Sequence, residues 1–259
     1  MSRPSLAEVR ATGQPPQVLA RLNDEHWAGR LYMRRLSPYA TLMFARLGWS
    51  PNAVTVAFIV CGVAAGVVVA FGGLWTAITA AILIQAYLLF DCSDGELARW
   101  SKRTSVAGTY LDGIGHYLAE AALLTGLGIR AQGGGHFTLS GGYVTVGLAA
   151  ALLAAIVKAE TDNVTVARAK AGLPGSVADT ALAPRSQGLA LVRRAASVLR
   201  LHRIIQAVEL SVLILVAAII DAARGGLSAT RVLAAVSLAV AAVMVVAHLA
   251  AILASRRLR

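Results

Sequence analysis

The chain has 259 residues, 57% hydrophobic and 14% charged, with 24 Lys+Arg against 13 Asp+Glu and a formal net charge of +11. About a quarter of a soluble domain's residues carry charge, and here the apolar excess sits in long runs. These features rule out a disordered chain, a collagen-like fibre and a disulfide scaffold, and argue against a water-soluble enzyme with one buried core. The two cysteines, Cys61 in an apolar run and Cys92 beside acids, show no bridge pattern.

Residues 1–28 are polar, lack a signal peptide's apolar core and cleavage site, and read as a cytoplasmic segment. Residues 29–46 mix Arg with Leu, Tyr, Met and Phe, the composition of an amphipathic helix lying in the membrane interface, with a break or kink expected at Pro38. Six stretches then approach the ~20 apolar residues a crossing requires: 53–73, 74–98, 105–130, 141–163, 203–223 and 232–254. They are too long for barrel strands, and backbone in lipid must be internally paired, so they are helices. The expected fold is an all-α integral membrane domain over 29–259, with six transmembrane helices after the interfacial one. The longest connection, about 164–202, contains a second amphipathic stretch at 189–201.

Basic residues set the orientation. All of the 24 Lys+Arg except Arg130, Arg224 and Arg231 fall on one side of this arrangement, together with both ends of the chain. That side is the cytoplasm, which predicts a multi-pass protein of the cytoplasmic membrane with both termini inside. The positive charge suits anionic lipid headgroups. It is spread over several loops without interleaved aromatics, which argues against nucleic acid as a partner.

Charge at membrane depth is costly and usually functional. Asp91, Asp94, Gly95 and Ala98 share one helix face by spacing, and Gly108, Asp112, His116 and Glu120 share another. A turn centred near Lys102 brings Asp91 and Asp112 to the same depth. Asp91 lies about 24 Å along its helix from Trp75, near the cytoplasmic boundary. Three converging carboxylates repel one another unless protonated or bound to cations. Oxygen ligands favour hard ions such as Mg²⁺, Mn²⁺ or Ca²⁺. Gly95, Ala98 and Gly108 leave room beside the acids for a phosphate-sized group and for close helix approach, and two shared ions would clamp a pyrophosphate. The plainer alternative is a set of helix-end acids paired with Arg99, Lys102 and Arg103.

The stretch Asp91–His116 resembles the signature of the CDP-alcohol phosphotransferase family, D-x2-D-G-x2-A-R-x8-G-x3-D-x3-D. Asp91, Asp94, Gly95, Ala98, Arg99, Gly108 and Asp112 match in type and spacing. The Ser50-Pro51-Asn52-x2-Thr55 opening of the first span is also common in that family. The resemblance implies a divalent-metal site of two Mg²⁺ or Mn²⁺ ions held by Asp91, Asp94 and Asp112. It implies a CDP-alcohol donor, with CDP-diacylglycerol expected, and a polyol or polyol-phosphate acceptor whose hydroxyl attacks the β-phosphorus as CMP leaves. Gly95, Ala98 and Gly108 would flank the nucleotide, with Asn52 and Thr55 on the same wall. Arg99 would contact phosphate or snorkel to the interface. A homodimer is also implied.

One position departs from the pattern: the fourth acid is His116. Three roles fit: a general base for the acceptor hydroxyl, a nitrogen ligand to the second ion favouring Mn²⁺ or Zn²⁺, or loss of catalysis with binding retained. Glu120, one turn on, either orients the imidazole or makes an interhelical bond. Lys158, Arg168, Arg193, Arg194, Arg200, His202 and Arg203 compose either a cationic acceptor pocket or simply the topological bias. The leading function is therefore an integral-membrane transferase of phospholipid, related polar-lipid or surface-polymer synthesis. The alternatives are a silent CDP-alcohol-binding homologue and a divalent-cation transporter.

Overall fold

The computed structural model describes residues 4–16, 27–133, 139–173, 201–255 and 258. Among them are eight α-helices and no strand: α1 Leu6–Gly13, α2 Arg34–Arg46, α3 Pro51–Ala70, α4 Leu74–Ser101, α5 Val106–Gly133, α6 Gly142–Lys170, α7 Ala207–Arg224 and α8 Ser228–Ala254. Each of the six expected stretches is a helix, within a few residues of its forecast limits apart from α6, which runs on to Lys170. Four of them, α3, α4, α6 and α8, are long and apolar enough to cross a membrane. In the other two, charge interrupts the apolar run: α7 contains Glu209, Asp221 and Arg224, and α5 contains Asp112, Glu120 and Arg130. The stretch 189–201 lies mostly outside the described residues, as do Arg193, Arg194 and Arg200.

Local chemistry explains the ends that matter. Ser50 caps α3 by accepting from the Ala53 N–H at 3.2 Å, and Pro51 opens it. Lys102 ends α4 in the left-handed region (φ 54°), and the Arg103 N–H closes back onto the Ala98 carbonyl at 3.0 Å. Ser105 accepts from the Gly108 N–H at 3.0 Å at the start of α5. The turn therefore falls at the position the register argument requires. Pro38 does not end its helix; it lies within α2, after a π-helical turn at Gly29–Met33.

Helix α2 turns Ser37 and Thr41 toward the protein and leaves Leu36, Tyr39 and Met43 exposed.

The expected close approach of the two motif helices is not found. α3 packs extensively on both α4 and α5, while α4 and α5 make little direct contact. The tight crossing is between α3 and α5, where a Cβ on Gly66 would collide with the Ala122 backbone and one on Gly126 with the Gly66 carbonyl. Backbone in the way cannot yield as a side-chain tip can. Gly66→Ala should therefore lower stability by about 1–3 kcal/mol or more, read as a fall in melting temperature in detergent. Gly113→Ala, which meets nothing within 4 Å, should not.

At the end of the bundle opposite the motif turn, Arg130 is buried. It donates to the Gly73 carbonyl at 2.9 Å and Thr76 Oγ1 at 3.3 Å, and its Nε reaches Thr230 Oγ1 at 3.4 Å. Asp221 nearby accepts from the Ala229 and Thr230 N–H groups at 2.8 and 3.0 Å. Arg130 thus ties α5 to the starts of α4 and α8 rather than standing as a loop charge.

Candidate active site

A cavity of about 480 Å³ opens between the motif helices, within the range of small-molecule sites. Asn52 and Thr55 from α3, Asp91, Asp94, Gly95, Ala98 and Arg99 from α4, and Gly108, Asp112 and His116 from α5 all line it. The residues that the sequence offered for metal, nucleotide wall and base therefore line one space, whereas Glu120, Lys158 and Arg168 do not line it.

The ligating atoms divide into two groups. Asp91, Asp112 and His116 each offer an atom within 4.8 Å of the others'. His116 Nε2 lies 3.4 Å from Asp91 Oδ1 and 3.8 Å from Asp112 Oδ1. Asp94 is more buried, and its Oδ2 accepts from Thr55 Oγ1 at 2.7 Å. A two-oxygen, one-nitrogen set of this size fits a single divalent ion, with Asp94 on the adjoining wall.

The imidazole is oriented from behind. Its Nδ1 shares a hydrogen bond of 2.5 Å with the Tyr87 hydroxyl, and its ring lies 5.8 Å from Phe58 and 5.9 Å from Tyr87 between centroids. Gly115 makes room for Phe58, because a Cβ there would collide with that ring. Glu120 does not take the orienting role: it pairs with Lys158 of α6 at 3.2 Å, an interhelical bond.

The small residues keep the cavity open. A Cβ on Gly108 would stand 3.0 Å from Asn52 Oδ1, and one on Gly95 would stand 3.1 Å from Arg99 Nη1. Either side chain would narrow the cavity where Asn52 and Arg99 face it. Arg99 does not merely snorkel: it lines the cavity, and its Nε donates to the Gly13 carbonyl at 2.8 Å.

Residues 49–257 match the model of the CDP-alcohol phosphatidyltransferase family. The chain belongs to that family. It is also similar to a phosphatidylinositol phosphate synthase of Streptomyces avermitilis, with 29% identity over 206 residues, covering 78% of this chain and 77% of the relative. With four long apolar helices, this CDP-alcohol phosphatidyltransferase relative is a membrane protein.

The family match begins at residue 49, yet Gly29 and Arg34 also line the cavity. Tyr87, Arg34 and Glu96 were not singled out from the sequence. Tyr87 lies four residues before Asp91, on the same helix face, so extending that face by one turn would have found it. Glu96 occupies a variable motif position and reads as a surface acid, but it is fully buried.

Proposed function

We propose that the protein transfers a phosphoalcohol unit from a CDP-alcohol to a hydroxyl acceptor, releasing CMP, within lipid synthesis. The observation that carries this reading is the single cavity shared by all seven matched signature residues, the two α3 residues and His116. Family membership supports the transferase class. The relative's name favours CDP-diacylglycerol as donor and a phosphorylated polyol as acceptor. In the same reading, α3 to α8 make six crossings, both termini are cytoplasmic, the protein is a homodimer, and Mg²⁺ or Mn²⁺ is required.

Asp91 and Asp112 would hold one ion, with Asp94 contributing to a second and the His116 imidazole left beside them as the base. Bound there, such cations neutralise the diphosphate and stabilise charge on the attacking and leaving oxygens. Gly95, Ala98 and Gly108 keep the wall low enough for a nucleotide to lie against backbone, beside Asn52 and Thr55. Arg99 and Arg34 present planar guanidinium groups suited to phosphate oxygens. The acceptor oxygen forms a bond to the β-phosphorus, and the bond from that phosphorus to the bridging oxygen breaks. CMP departs with the electron pair. His116 Nε2 takes the hydroxyl proton while Tyr87 holds Nδ1 and fixes the ring.

An ion path is disfavoured by Leu123, Leu124 and Leu127, which are buried beyond Glu120 on α5. Purified protein incubated with CDP-diacylglycerol and a panel of polyols and polyol phosphates should release CMP only with Mg²⁺ or Mn²⁺. Adding EDTA should reduce release to background. CMP release that persists in EDTA, or none with any donor and acceptor, would sink the reading.

A further inference from the structure

The first helix is short and polar, yet its end is anchored to buried groups beside the cavity. Gln14 follows α1, and its Nε2 donates both to the Arg34 carbonyl and to Glu96 Oε1, each at 2.8 Å. Both acceptors have a physical need for that donor. Pro38 has no N–H, so the Arg34 carbonyl four residues earlier loses its helical partner. Glu96 is fully buried, and a buried carboxylate is strongly disfavoured unless its oxygens are satisfied. Ser37 Oγ and Thr41 Oγ1 supply further donors at 2.6 and 2.8 Å, and the Arg34 guanidinium stands 3.8 Å away.

One turn along α4, the Arg99 Nε donates to the Gly13 carbonyl at 2.8 Å. Glycine permits this approach: a Cβ on Gly13 would stand 3.1 Å from Glu96 Cβ. The far end of α1 is secured by a capping box, in which Ser5 and Glu8 bond reciprocally. One short segment therefore holds Arg34 through its carbonyl and Arg99 through its Nε, and both arginines line the cavity.

We infer that α1 and Gln14 form a latch that positions Arg34 and Arg99 for the diphosphate of a nucleotide ligand, with Gln14 the positioning residue. The inference rests on the functional reading above and adds to it a segment upstream of the family match. A segment that merely completed the fold would affect every property of the protein together. A latch acts on nucleotide affinity and leaves the Asp91–Asp112–His116 cluster alone.

The test uses the full-length protein in detergent, with CDP as the probe measured by calorimetry and Mn²⁺ measured separately by electron paramagnetic resonance. Gln14→Ala should weaken CDP binding about tenfold with Mn²⁺ affinity unchanged, alongside the modest fall in melting temperature that loss of a donor to buried Glu96 brings. Glu8→Ala, which loosens the capping box without touching Glu96, should shift CDP affinity the same way by less. It supplies the readout if Gln14→Ala does not fold. Wild-type protein that binds CDP while the folded variants bind it equally well overturns the latch alone. Parallel losses of CDP and Mn²⁺ affinity overturn it in favour of a purely structural segment. Wild-type protein that binds no CDP overturns the functional reading itself, and the latch with it.

Discussion

Asp91→Asn is expected to abolish CMP release, by about 10³-fold or more, while leaving the helices and their packing in place. The magnitude follows from removing charge where transition-state charge is held. Asp91 is the acid nearest the imidazole, at 3.4 Å, and its cluster partners Asp112 and His116 come from the other motif helix. Asparagine keeps the size and one carbonyl oxygen but removes the negative charge. Mutual repulsion with Asp112 falls, so the unliganded protein should not be destabilised. Mn²⁺ affinity, read by electron paramagnetic resonance, should fall together with turnover. An Asp91→Asn protein with normal Mn²⁺ binding and normal CMP release would remove the basis for the proposed chemistry.

That this cluster was legible in the sequence follows from helix periodicity. Spacings of three and four residues fix which side chains share a face, and the positive-φ residue Lys102 sits at the turn that sets the register. Hydropathy was equally direct for α3, α4, α6 and α8, because lipid imposes length and composition together. It was less so for α5 and α7, whose charged residues are invested in internal bonds such as Glu120–Lys158 and Asp221–Thr230.

What stayed hidden was the pairing of polar groups far apart in the chain. Arg130 at the end of an apolar run has the composition of a loop charge, and only its partners on other helices reveal it as a buried tie. Glu96 becomes a core residue only because Gln14, Ser37 and Thr41 converge on it, 82, 59 and 55 residues away. Local pattern carries no such information. The Ser5–Glu8 capping spacing went unread in the polar N-terminal segment, and what that helix docks against depends on the third dimension. Close packing of the motif helices was expected from their glycines. Instead, glycines on α3 and α5 make the close crossing, and the space between α4 and α5 is the cavity.

His116→Ala should lower turnover by about 10²–10⁴-fold, the usual contribution of a positioned acid or base, with CDP affinity retained. The side chain has little freedom to serve in any other way. The Tyr87 hydroxyl engages Nδ1 at 2.5 Å, and the Phe58 and Tyr87 rings flank the imidazole, so Nε2 alone faces Asp91 and Asp112. A base and a metal ligand at that atom differ in what their loss does to metal dependence. Loss of a base reduces the maximal rate and leaves the Mn²⁺ concentration for half-maximal activity where it was. Loss of a ligand raises that concentration, and excess Mn²⁺ restores part of the rate. The first pattern is expected here. His116→Asp, which recreates the family's fourth acid, should recover most of the lost turnover, because a carboxylate at this helix position can also accept the hydroxyl proton. Tyr87→Phe should give a smaller loss than His116→Ala, since it removes the bond that orients the ring and leaves Nε2 in place. Full turnover by His116→Ala would rule out the base, and a rate rescued by Mn²⁺ would assign the imidazole to the metal instead.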